Sequence, residues 1–324
     1  MLVLSRADLE RVLDPAGVIE AIESAFREAA AGRAAALPRA VLPMARGGVF
    51  AGMISALPRR QALGAKLVTV VPDNRARVLP TLHASYVLYD PETGAPIAFM
   101  AAGFLTGIRT GATSAVAAKY LARPDSRRVA CFGAGVQAEF QLRCLKAVLP
   151  VESVAVVGRD PTRAQGFADR MRDTLGVPVE VARDRGAAVR EAGVVTCATT
   201  SPRPVFAGRD LRPGAHVDAV GAFRPATREL DTDAVKRAHV VVDTYHGAWT
   251  EAGDLLIPIK ARAMTRRHVK AELAEVVARK KPGRTRPDQI TLFKSVGWAP
   301  EDAAAARLAY DRAMAQGIGT EVPL

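Results

Sequence analysis

Aromatic residues make up only 5% of this 324-residue chain, and cysteine occurs three times, as Cys131, Cys144 and Cys197. Three widely spaced thiols cannot build a disulfide framework. Neither they nor the five histidines fall at metal-ligand spacing, so no metal is expected. Cys131 and Cys197 lie inside apolar runs and read as buried, reduced thiols. No apolar run is long enough to span a bilayer, and the opening Met1-Leu2-Val3-Leu4-Ser5-Arg6 lacks the basic, apolar and small-residue order of a secretory signal. The expectation is a cytoplasmic protein that makes no membrane contact. A Gly-x-Ser-x-Gly nucleophile turn is also missing, as are internal repeats and low-complexity tracts.

The scarcity of aromatics decides how the charge is read. A formal net charge of +12 invites a nucleic-acid partner, yet the basic residues are scattered and interleaved with acids. The densest groups, Arg266-Arg267-His268 with Lys270 and Arg279-Lys280-Lys281 with Arg284 and Arg286, carry no aromatics for base stacking. The sequence therefore predicts no nucleic-acid binding. A positive surface would still attract an anionic small molecule or a phosphorylated cofactor.

What the chain does contain is Val129-Ala130-Cys131-Phe132 running into Gly133-Ala134-Gly135-Val136-Gln137-Ala138, with a helix-like segment after it. A strand, a Gly-x-Gly-x-x-Ala turn and a helix in that order form the phosphate-binding turn of a dinucleotide fold. Gly133 permits the tight turn, Gly135 lets backbone approach a pyrophosphate, and Ala138 lets helix and strand pack closely. From Arg123-Pro124 onward, Val-rich runs alternate with helical segments through Val240–Asp243, the grammar of a parallel sheet covered on both faces. Before it, a helix over 7–31 precedes strand-like runs at 49–54, 65–71, 83–89 and 96–100, mainly an antiparallel sheet. A short Ala-rich helix over 113–121 joins the halves, and a last helix over 302–315 lies beyond the alternating block. The expected fold is α/β: a Rossmann-type dinucleotide-binding domain over 121–299, plus an α+β substrate and dimerisation domain over 1–120 completed by 300–324.

The second strand of such a fold distinguishes NAD from NADP, because an acid at its end meets the ribose 2′-hydroxyl whereas a base meets a 2′-phosphate. Here Val154-Ala155-Val156-Val157 ends in Gly158-Arg159-Asp160-Pro161-Thr162-Arg163. Arg159 and Arg163 favour NADPH over NADH, while Asp160 before Pro161 also reads as a helix cap. In the first domain Lys66 interrupts an apolar strand, so it either faces a cleft that holds an anion or lies on a solvent face. Arg39 and Arg109 are candidate carboxylate or phosphate clamps, with a plain surface charge as the alternative. His83 is the one histidine in an apolar strand near these elements, and a satisfied core histidine is its alternative reading.

Taken together these segments resemble the ornithine cyclodeaminase/μ-crystallin family. The resemblance runs through Gly64-Ala65-Lys66-Leu67-Val68, Leu105-Thr106-Gly107-Ile108-Arg109-Thr110-Gly111-Ala112, the Gly133–Ala138 turn, Val220-Gly221-Ala222-Phe223-Arg224-Pro225, Arg228-Glu229-Leu230-Asp231 and Thr291-Leu292-Phe293-Lys294-Ser295-Val296-Gly297. It implies a homodimer that acts on small imino or amino acids with a nicotinamide cofactor. Family members include ornithine cyclodeaminases, alanine dehydrogenases and ketimine reductases. By position, the resemblance assigns substrate binding to Arg39, Lys66, Arg109 and Val296, with Lys66 catalytic. It assigns cofactor contacts to His83, Arg109, Thr110, Gly133, Ala134, Gly135, Val136, Gln137, Arg159, Asp160, Arg163, Thr199, Val220 and Ser295.

One departure selects the subclass. Cyclodeaminases and the related alanine dehydrogenases have an acid shortly after the Val-Gly of the later strand, where this chain has Phe223. Phe accepts no proton, and losing an essential base costs about 10²-fold or more in rate. The expected function is therefore NADPH-dependent reduction of cyclic imino acids. The alternatives are a cyclodeaminase or dehydrogenase whose acid lies elsewhere, at Asp73 or Asp231, and a non-catalytic crystallin-like NADPH-binding protein.

Overall fold

A computed structural model describes residues 1–323, the side chains of Arg46 and Arg75 excepted. It divides into two units, Met1–Arg109 with Ala299–Leu324, and Thr110–Trp298. The chain passes from one to the other inside the helix Ala102–Leu121. The sequence recognised only the last part of that helix and put the domain boundary between residues 120 and 121. Gly103, Gly107 and Gly111 dilute its pattern, each about 1 kcal/mol poorer than Ala in a helix. Gly111 is needed for packing: a Cβ there would sit 2.3 Å from the Phe140 carbonyl oxygen on the helix Val136–Val148.

The first unit is built on an eight-stranded sheet. Val49–Leu57, Ala62–Val70, Leu82–Tyr89 and Pro96–Met100 pair antiparallel in sequence order, and Leu2–Leu4 adds to the last of these in parallel. Alternation sets the two faces. Ala51, Met53, Ser55, Leu57, Ala62, Lys66, Val68, Tyr86 and Leu88 point to the buried side. The helices Pro15–Ala30 and Ala299–Gln316 belong to this unit, and the C-terminal one packs on Pro15–Ala30 and the central strands. Asp14 caps the first helix with Pro15 at its first position, and Val18, Ile19, Ile22, Ala25 and Phe26 form its buried stripe. Ala303 to Ala306 are fully buried, so small side chains bring the C-terminal helix close to the sheet.

The second unit has an eight-stranded, all-parallel sheet. Its order is Val179–Val181, Ser153–Val157, Arg128–Phe132, Val194–Cys197, His216–Ala219, Thr291–Lys294, His239–Val242 and Val269–Glu272. Residues of Arg128–Phe132 alternate between two cores, Val129 and Cys131 in one, Ala130 and Phe132 in the other. That is the double-sided burial the Val-rich runs required. The strand order reverses between Arg128–Phe132 and Val194–Cys197, the crevice where nucleotides bind in such sheets. Two strands were not foreseen, Val269–Glu272 and Thr291–Lys294; both are four residues long and contain a lysine, which masks an apolar run. Among the described residues no helix is long and apolar enough to cross a membrane.

Replacing Gly111 with Val should destabilise the protein by about 1–3 kcal/mol through overpacking. For a domain of this size each kcal/mol lowers the melting temperature by about 2–4 °C. Thermal unfolding by circular dichroism measures it, and an unchanged transition would show that the two helices separate freely.

Candidate functional site

In the second unit the Gly133–Gly135 turn follows Arg128–Phe132 directly. Gly133 has φ +115°, and a Cβ there would lie 2.5 Å from the Ala198 carbonyl oxygen, so only glycine fits. Gly135 is the N-cap of Val136–Val148 and gives it no side-chain cap, while a Cβ at Gly135 would meet nothing within 4 Å. Open space over an uncapped, 13-residue helix start suits a pyrophosphate. The residues present therefore fit a dinucleotide. Ala134 is half-buried and Val136 exposed, while Gln137 keeps a buried Oε1 without a hydrogen-bond partner among the described residues.

Arg159 and Arg163 are exposed just beyond Ser153–Val157, and neither forms an ion pair among the described residues. Asp160 caps the helix Pro161–Leu175, accepting from the Arg163 amide at 3.1 Å. Thr110 is half-buried, its carbonyl accepting from Gln141 Nε2 at 3.3 Å.

Thr199 and Val220 stand just past the C-terminal ends of Val194–Cys197 and His216–Ala219, on loops fixed by a buried acid. The Glu229 carboxylate accepts from the amides of Thr199 (2.7 Å), Gly221 (2.7 Å) and Ala222 (3.0 Å). Asp254 accepts from the amides of Glu229 and Leu230, and Lys294 Nζ pairs with Asp254 at 2.9 Å. All three charged side chains are buried. Burial pushes the Glu229 carboxyl up, and the Lys294 ammonium opposes that. Ser295 and Val296 are held similarly: Asp243 accepts from the Ser295 hydroxyl at 2.9 Å and from the Val296 and Gly297 amides at 2.7 and 2.8 Å. Phe223 is 36% exposed, with the Arg224 guanidinium over its ring.

In the first unit Lys66 faces the buried side and is 2% exposed, which rules out the solvent-face reading. Its Nζ donates to both Asp302 oxygens, at 2.8 and 2.7 Å. Arg109, also buried, pairs with Asp302 at 3.0 Å and with Glu301. Burial is the main influence on Lys66, bringing it down to about 8; the Arg109 charge adds to this, Asp302 opposes it, and Arg39 contributes a further downward push. Arg39, Lys66 and Arg109 are thus one electrostatic group. His83 is not part of it: it is exposed, and strand alternation puts it on the opposite face from Lys66.

Sequence reasoning missed Glu301, Asp302, Glu229, Asp254, Lys294, Asp243 and Tyr86. Two acids heading an Ala-rich helix look like ordinary dipole partners, and nothing local shows that Asp302 meets a lysine 236 positions earlier. Asp231, a candidate proton acceptor, is instead the N-cap of Thr232–Arg237, accepting from the Ala234 and Gly208 amides at 2.8 and 2.9 Å. Asp73, the other candidate, is exposed in the short turn Pro72–Arg77. Among the described residues no group of three His, Cys, Asp or Glu side chains is placed to hold a metal.

The chain is 37% identical to a Δ1-pyrroline-2-carboxylate reductase of Bacillus cereus, with 99% of each chain covered. It resembles the structure of Thermococcus litoralis Δ1-pyrroline-2-carboxylate reductase in complex with NADH and L-proline, with TM-score 0.97, 41% identity and 99% and 100% of the two chains covered. An archaeal alanine dehydrogenase dimer with bound NAD superposes with TM-score 0.94 at 32% identity, covering 100% of this chain and 99% of that one. The ornithine cyclodeaminase/mu-crystallin family model matches residues 1–317, and the chain belongs to that family.

Proposed function

We propose that the protein is an NADPH-dependent reductase of small cyclic imino acids, of the Δ1-pyrroline-2-carboxylate or Δ1-piperideine-2-carboxylate type, that forms L-proline or L-pipecolate. The enzyme class is an oxidoreductase acting on C=N bonds with a nicotinamide dinucleotide. The observation that carries reduction over deamination is Phe223 at the position where the deaminating relatives carry an acid. Phe223 replaces the acid, Glu229 is engaged by three amides, and Asp231 caps a helix. Deamination must first remove a proton from an ammonium group, whereas an imine needs only hydride and a proton.

Arg39, Lys66 and Arg109 hold the substrate carboxylate, fixing its orientation by charge in a low-dielectric setting. Val296 adds an apolar contact. The Gly133–Gln137 turn takes the pyrophosphate, and Arg109, Thr110, Thr199, Val220 and Ser295 complete the cofactor contacts. When bound, the reduced nicotinamide supplies the hydride. Arg159 and Arg163, cationic and without ion pairs among the described residues, select the 2′-phosphate. The three buried thiols, with Cys131 and Cys144 pushed up to about 12 by burial, are inert and suit a reducing cytoplasm.

The exposed face of the first unit's sheet supports a homodimer. Ile54, Ala65, Val87 and Phe99 are in register across four strands, and Leu67 lies beside them. Ile54, Leu67 and Phe99 are 48%, 42% and 40% exposed, a patch that a second copy would bury.

Three outcomes follow. NADPH should bind about ten- to hundred-fold more tightly than NADH, since charge-assisted contacts contribute about 1.5–3 kcal/mol. Arg159→Ala should remove most of that preference while sparing NADH, and equal dissociation constants in the wild type by fluorescence titration would defeat the assignment. Cyclic imines should be reduced with NADPH, while ornithine with NAD or NADP yields no appreciable proline and ammonia; the reverse pattern would make it a cyclodeaminase. Ile54→Lys should give a monomer in sedimentation velocity, and an unchanged dimer would place the interface elsewhere.

A further inference from the structure

Lys66 is surrounded by groups from several elements. Asp302 comes from Ala299–Gln316, Arg109 from Ala102–Leu121, and Arg39 from the segment before Ala40–Pro43, while Tyr86 lies directly across on Leu82–Tyr89. Glu301, beside Asp302, turns to Arg109. Tyr86 is buried, with a hydroxyl that has no hydrogen-bond partner among the described residues. Its ionisation is pushed up by burial and by the Asp302 charge, so it stays neutral and cannot serve as the counter-ion. Asp302, which grips the ammonium through both oxygens, does.

We propose that Asp302 is a positioning residue for imine reduction: its two-oxygen grip on Lys66 keeps that side chain protonated and oriented, so that Lys66 is the proton donor to the substrate nitrogen. This rests on the imine-reductase reading. Hydride from the reduced nicotinamide adds to the imine carbon, and the C=N π pair moves to nitrogen. That pair takes a proton from Lys66 as an Nζ–H bond breaks. Lys66 is left neutral beside the Asp302 carboxylate and regains its proton from solvent. Two jobs meet in one side chain, because a protonated Lys66 also attracts the substrate carboxylate held by Arg39 and Arg109. Without Asp302, every remaining charged influence on Lys66 favours the neutral amine: burial, Arg109 and Arg39.

The sign follows directly. Protonated Lys66 is the active form, so kcat/KM for imine reduction should fall as pH rises through a limb near 8 in the wild type. Asp302→Asn should move this limb to lower pH by about 1–3, the usual effect of an opposite charge at contact distance. Asp302→Glu should restore most of the wild-type position, and Lys66→Met should abolish the limb. Circular dichroism and a cooperative thermal transition above the assay temperature, taken on each purified variant, show that the fold is intact. Independently of turnover, the Lys66 side-chain NMR resonance, assigned by its loss in Lys66→Met, should titrate at lower pH in Asp302→Asn. A uniform loss of rate with the limb unmoved, or an unmoved Lys66 titration, would overturn the proposal. A wild-type enzyme that reduces no cyclic imine at any pH would overturn the functional reading instead, and the Lys66 titration would still decide whether Asp302 sets its charge.

Discussion

The ion pair between Lys66 and Asp302 is the constraint on which the first unit depends. An ammonium and a carboxylate, both buried, are each costly to desolvate, and removing one partner of such a pair costs about 3–5 kcal/mol. The pair holds the first turn of the C-terminal helix against the strand Ala62–Val70, joining segments 236 residues apart. Because Arg109 shares Asp302 and also takes Glu301, the same helix neutralises two of the three cations assigned to substrate. The cations are thereby fixed in place before any ligand arrives, which is preorganisation in the ordinary electrostatic sense.

A second buried network does comparable work in the other unit, with backbone as its load. Lys294, Asp254 and Glu229 form a chain of charges whose outer member accepts three amides from the loops after Val194–Cys197 and His216–Ala219. Asp243 does the same for the loop carrying Ser295 and Val296. Loops that must keep a defined shape at the end of a parallel sheet would otherwise leave amides unsatisfied, at about 1–3 kcal/mol each. Glu229 and Asp243, acids that look catalytic by type, are consumed in holding loops.

The dinucleotide turn, the two-unit division and the alternation of each sheet were legible because they rest on local rules. Gly133 needs its positive φ within one residue of a strand end, and Val129 to Phe132 show both faces of a buried strand in four letters. Asp160 before Pro161 read correctly as a cap for the same reason. The helix Ala102–Leu121 was half hidden because its glycines serve packing against Phe140, a partner that no local pattern contains. The core-histidine alternative for His83 was wrong, since apolar surroundings in the sequence say nothing about which face of the sheet a residue takes: it is exposed, on the face opposite Lys66.

By itself, the sequence determined the alternation of strands and helices after the Gly133–Ala138 turn, the strand–glycine turn–helix order itself, and the side-chain types at Arg39, Lys66, Arg109 and Phe223, because each is written in spacing or side-chain type. Only the tertiary structure decided that Lys66 is buried and paired, that Arg109 belongs with it, and that Glu229, Asp231 and Asp243 are engaged with backbone. Charge pairing across hundreds of residues is a property of the folded chain: it depends on which surfaces meet after the sheet has formed, and the local pattern around Asp302 is that of any helix with acids in its first turn.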